Sequence, residues 1–406
     1  MIGDGMTTEN QSIPYLGEIR WILQAGMLLF IYTVVVGILN GLDLVDFERK
    51  ALLTHLHIGT LAWITGGVFA GALVLFGSND PDNKTISRLA VAAPLVAAAY
   101  NMAFLTTTNL ARPILGALMM IILLGFAFWG FRQARGTTLS VPHLGILAGL
   151  ATSVIGAVFG VFYGIIIANP DSGIPARLGE AHPAAMIVGF LIPVGMVFSE
   201  WILNKGATLQ PASRAGWLQI GLPFLGGVAV VVGLILDLIP LVMLSLPFEI
   251  IGIGIFVVRM IPAIRSTSFF AAGNARYGVI ASVFVVVNLC IFVYLLVNYI
   301  SQDDFDSIPR RLMLALDHSI FVGVLTVALI PFIGRYASKT YKNVIDHVMF
   351  WGLSIGTIGF MVGLLTDTDI LIRVFTPILG LAILHAVGVF VPAMGNPSDT
   401  LKKALS

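Results

Sequence analysis

The stretch "LLTHLHIGTLAWITGGVFAGALVLFG", residues 52–77, decides how the chain is read. It is apolar over a length that crosses a bilayer, which takes about 20 residues, and it carries His55 and His57 near its head. A histidine inside a bilayer is costly and usually functional. At ~100° per residue, positions i and i+2 of a helix lie ~200° apart. The two imidazoles therefore point to roughly opposite sides, and one helix can serve two different groups at one depth.

The rest of the chain repeats the apolar character. Of 406 residues, 58% are hydrophobic and 11% charged, with a mean hydropathy of +0.97; soluble domains carry about a quarter charged residues. Apolar runs of spanning length occur twelve times, near 20–40, 54–76, 87–108, 112–131, 142–168, 182–204, 217–237, 240–262, 276–300, 315–335, 345–366 and 370–393. The expectation is an all-α polytopic membrane protein: one twelve-helix domain over 19–393, with short tails at 1–18 and 394–406.

Alternating sides along the chain puts 15 Lys and Arg residues on the side of the termini and 7 opposite. Positive charge stays inside, so both termini are expected in the cytoplasm and even-numbered helices start at the outer face of the plasma (inner) membrane. The first eighteen residues hold no basic run, so no cleaved signal peptide is expected. The single cysteine, Cys290, allows no internal disulfide, and no C-x-x-C-H haem attachment motif is present. A net charge of +1 gives no reason to expect a nucleic-acid partner.

A local pattern recurs with a period of four helices. "ERKALLTHLHIGTLAWITGGVFA" (48–70), "ARLGEAHPAAMIVGFLIPVGM" (176–196) and "PRRLMLALDHSIFVGVLTVALIPF" (309–332) each place basic residues five to eight positions before a histidine. They belong to helices two, six and ten, which predicts a pseudo-threefold ring of twelve. His55, His57, His182 and His318 then share one level, a turn or so inside the outer face. Neutral imidazoles on opposite faces of a macrocycle make a six-coordinate b-type haem site, and four of them make two. Arg49, Lys50, Arg177, Arg310 and Arg311 stand where they can meet anionic haem propionates. Glycines 66, 67, 189 and 323 are candidates for letting a flat ring approach a helix backbone.

Taken singly, each histidine is also explained by a hydrogen bond between helices, and each base by snorkelling. The recurrence at three equivalent places favours ligation. His143, His347 and His385 lie off this level and read as structural.

The histidines on helices two, six and ten resemble those of the haem–copper oxidase superfamily, subunit I type, and the H-x-H on helix two is similar to that of the NnrS family. The oxidase resemblance implies haem ligands on these helices and redox chemistry. The departures from it imply a copper-lacking branch. Met186 stands where a tyrosine follows the helix-six histidine, helix seven ("GWLQIGLPFLGGVAVVVGLILD") has no histidine, and helix ten carries Asp317-His318 rather than H-x-H.

Glu249, in "SLPFEIIGIG", lies near mid-membrane, and a buried carboxyl there is a candidate proton carrier. The expected function is a membrane cytochrome with two haem b groups passing single electrons, and an oxidoreductase role, with nitric oxide or oxygen chemistry at one haem, is left open. The donor is either quinol or a soluble cytochrome or cupredoxin, and a companion subunit or homo-oligomer is also open. The alternative is a proton-coupled secondary transporter that uses the histidines and Glu249.

Overall fold

In a computed structural model, described for residues 13–204, 209–299, 307–338, 342–398 and 400, the chain is all helix. Twelve helices are long and apolar enough to cross a membrane. They are α1 (Leu16–Gly41), α2 (Arg49–Asn79), α3 (Lys84–Thr106), α4 (Ala111–Ala134), α5 (Val141–Ala168), α6 (Ala176–Leu203), α7 (Arg214–Leu236), α8 (Ile239–Ser266), α9 (Ala275–Asn298), α10 (Arg310–Gly334), α11 (Asn343–Leu365) and α12 (Asp369–Ala393). With no water to satisfy backbone groups in hydrocarbon, a helix is the structure an apolar run of this length adopts.

One packing plan is used three times. The first helix of each group of four (α1, α5, α9) packs on the second, the third packs on the second, and the fourth packs on the third. Neighbouring groups join through α4 and α5, α8 and α9, and α12 and α1, which closes a ring. The second helices α2, α6 and α10 fill its centre. Their most apolar stretches are 89%, 89% and 67% buried, against 22–56% for the other nine. The period read from the histidines is thus a period of the architecture.

The central helices share a second feature that sequence reading missed. Each changes from α to π winding just past its histidine: Ile58–Ile64 after His57, Ala185–Leu191 after His182, Ser319–Thr326 after His318. Such turns are rare and are frequent at functional sites. The π segment of α10 packs on those of α2 and α6 at the ring's centre, and Trp63 Nε1 donates to Thr326 Oγ1 at 3.0 Å.

These three helices also begin five or six residues earlier than the apolar runs suggest. Arg49, Arg177 and Arg310 lie in their first turns, and the histidines sit about two turns in rather than one. The glycines at 66, 67, 189 and 323 do a different job from the one expected. A Cβ at Gly67 would lie 2.6 Å from Leu329, at Gly189 3.1 Å from Thr152, at Gly323 2.5 Å from Phe284 and at Gly66 3.4 Å from Ile22. They let helices approach one another, as small residues do within membranes.

Candidate functional site

Four imidazoles stand at one level near the end of the bundle where α2, α6 and α10 begin, and all four use the same ring nitrogen for support. His57 Nδ1 donates to the Leu53 carbonyl at 2.7 Å and His318 Nδ1 to Leu314 at 2.8 Å, each one turn back on its own helix. His182 Nδ1 reaches across to the Gly156 carbonyl of α5, and His55 Nδ1 to the Thr33 carbonyl of α1, both at 2.8 Å. A carbonyl oxygen only accepts, so Nδ1 carries the proton and the neutral ring keeps its lone pair on Nε2. Fixing the tautomer from behind is how proteins prepare a histidine to bind a metal.

The rings pair across helices. His57 and His182 have ring centres 6.5 Å apart and planes 10° from parallel. Two imidazoles bound to one metal from opposite sides, at about 2 Å per bond, have ring centres roughly 6 Å apart. His55 and His318 lie within electrostatic range of each other across α2 and α10, and His318 meets Phe360 edge-on at 5.2 Å. Each pair joins one ring braced on its own helix to one braced on a neighbour. The i, i+2 spacing on α2 therefore directs His57 towards α6 and His55 towards α10.

A small cavity of about 40 Å³ opens beside His57 and His182 and is lined also by Tyr100, Met119, Ser153 and Met186. Glycine makes the room: a Cβ at Gly160 would lie 2.9 Å from the His182 ring, and one at Gly116 3.0 Å from the Tyr100 hydroxyl. The hydroxyl of Thr65, on the same wall, is buried with no hydrogen-bond partner among the described residues. No group of three or more His, Cys, Asp or Glu able to hold a bare metal ion occurs among the described residues. Two axial nitrogens suit instead a metal whose other ligands come from a planar macrocycle.

The five expected anion-binding bases are not drawn into this cavity. Arg49, Arg177 and Arg310 are exposed. Lys50 is an exposed partner of Glu48 at 2.9 Å, and Arg311 is held by Asp367 and Asp369. A base that does approach His57, through Phe104, is one to which sequence reading gave no role. Arg112, at the start of α4, is 4% exposed and lies over the Phe104 ring, which stacks on His57 at 3.9 Å.

Two of the other histidines hold the fold. His143 closes a capping box at the head of α5: its Nδ1 accepts from Ser140, and its Nε2 donates to the Leu75 carbonyl at 3.2 Å. His347 accepts from Arg276 at 3.0 Å, and His385 is exposed on the flank of α12. Glu249 is fully buried on α8, and neither carboxyl oxygen has a partner among the described residues. Its nearest constraint is α7, where a Cβ at Gly226 would sit 3.1 Å from Oε1.

No protein-family model matches the chain, and none of the curated proteins is significantly similar to it.

Proposed function

We propose that the protein is an integral-membrane cytochrome of the inner membrane, holding two b-type haems between His57 and His182 and between His55 and His318. The observation that carries this reading is the His57–His182 pair. Its rings are parallel and suitably spaced, both Nδ1–H groups are spent on carbonyl oxygens, and a cavity opens beside them.

Bound haem supplies a reversible one-electron couple. The chain's own contribution is positional. Leu53, Gly156, Thr33 and Leu314 hold the four rings by their Nδ1 protons, so ligand geometry is set before the cofactor arrives. The surrounding apolar residues exclude water. His55 and His57 are two residues apart, so a single backbone segment separates the two centres. With haem bound at both pairs, α2 would be the segment between two one-electron centres, and the proposed outer-face donor is a quinol or a soluble redox protein. Both termini lie in the cytoplasm, from the bias of Lys and Arg. The two pairs would use all four imidazoles of this level, and the proposed relationship is to a copper-lacking branch of the haem–copper oxidases.

The test is pyridine haemochrome quantitation with reduced-minus-oxidised spectra of the purified chain. Two b-type haems per polypeptide with sharp low-spin bands support electron transfer. A band that shifts with carbon monoxide identifies an open haem and ligand chemistry. A haem-free chain overturns the reading. It would favour the alternative of a proton-coupled transporter, for which the specific observation is the unpartnered carboxyl of Glu249.

A further inference from the structure

Arg112 and Arg276 are the two buried bases among the described residues. Arg276 is neutralised by Asp346 at 2.6 Å, whereas Arg112 has no carboxylate partner there. A cation buried at a membrane helix end without a counter-ion is expensive. Its Nη2 donates to the Phe104 carbonyl at 2.7 Å and its Nε to the Ala103 carbonyl at 3.4 Å, closing the last turn of α3. Those bonds use two sides of the fork and leave Nη1 without a partner among the described residues. The guanidinium is 4.8 Å from the centre of the Phe104 ring, within electrostatic range of both His57 and Tyr100. Of the bases close in sequence to the other pair, Arg311 already has two aspartates and Lys50 pairs with Glu48.

We propose that Arg112 binds the carboxylate edge of the group held between His57 and His182, and makes that centre the easier of the two to reduce. The inference rests on the two-haem reading. A planar guanidinium is suited to carboxylate, and Arg112 stands one turn before Gly116 on the helix that lines the cavity. It supplies the missing counter-ion in both directions: the ligand's carboxylates neutralise the buried arginine, and the arginine offsets their charge where the electron arrives. The second centre has no equivalent buried base among the described residues. With a group bound at each pair, the His57–His182 centre would hold an electron more readily than the His55–His318 centre.

A potentiometric titration of Arg112→Gln and Arg112→Lys tests this. Wild type titrates in two steps. In Arg112→Gln, which keeps a donor for the α3 carbonyls but removes the charge, the upper step falls. The redox equilibrium between centres shifts on the order of tenfold, as expected for one charge about 10 Å away at an effective dielectric of ~20. Arg112→Lys keeps the charge and retains the separation. The unchanged spectrum of the His55–His318 centre, identified by its loss in His318→Ala, reports that each variant is folded. Two haems with potentials indifferent to Arg112→Gln, or a shift of the lower step instead, overturn the assignment. A wild-type chain without haem overturns the reading beneath it.

Discussion

Thr33 and His55 hold each other twice: the Thr33 hydroxyl donates to the His55 carbonyl at 3.0 Å, and His55 Nδ1 donates to the Thr33 carbonyl at 2.8 Å. The first bond fixes where α2 sits against α1, and the second fixes which nitrogen of the ring is free. Thr33→Val removes only the first. The expected cost is about 1 kcal/mol of stability, with weaker retention of the haem at the His55–His318 centre and none lost at the other. Thermal unfolding and haem-to-protein ratios in detergent check this together.

Gly160→Ala separates helix stability from site geometry. Alanine is the better helix former by about 1 kcal/mol, yet its methyl would lie 2.9 Å from the His182 ring. The expected outcome is a folded chain that loses about half its haem, because ligand misplacement typically costs 10–100-fold in affinity. Retention of both haems would remove His182 from the ligand set.

The π segments are pinned by Trp63 and Thr326. Thr326→Val strands a buried indole N–H, at an expected cost of about 1–3 kcal/mol. Because the pinned segments follow the histidines directly, the variant's low-spin bands should also broaden. Unaltered bands in a destabilised chain would mean the π segments serve packing alone.

At the opposite end of the bundle, Asp346 holds Arg276, Tyr277 and the Gly273 amide. Asp346→Ala leaves a buried cation, and breaking such a pair costs about 3–5 kcal/mol. The expected result is a large fall in unfolding temperature, with normal haem spectra in the protein that remains folded.

Much of this architecture is legible in the residues. Hydropathy marks twelve spans because a bilayer leaves a buried helix few alternatives, and the period of four helices shows in three histidines with bases upstream. The pairing of His57 with His182 was not legible, because the i, i+2 spacing gives two directions but no partners. The π winding leaves no trace, since its residues are as apolar as those of an α-turn. Arg112 was overlooked because it lies far in sequence from every histidine. Only the tight α3–α4 turn returns it to Phe104, and so to His57. The glycines misled for the same reason: spacing shows that a helix face is small, and the fold decides what approaches it.

The most direct test of the account is haem content, by spectrum and stoichiometry, in the four single variants His55→Ala, His57→Ala, His182→Ala and His318→Ala. The account predicts two matched pairs: His57→Ala and His182→Ala lose one low-spin signal, while His55→Ala and His318→Ala lose the other. Full haem in both α2 variants, or losses that do not fall into those pairs, would contradict it.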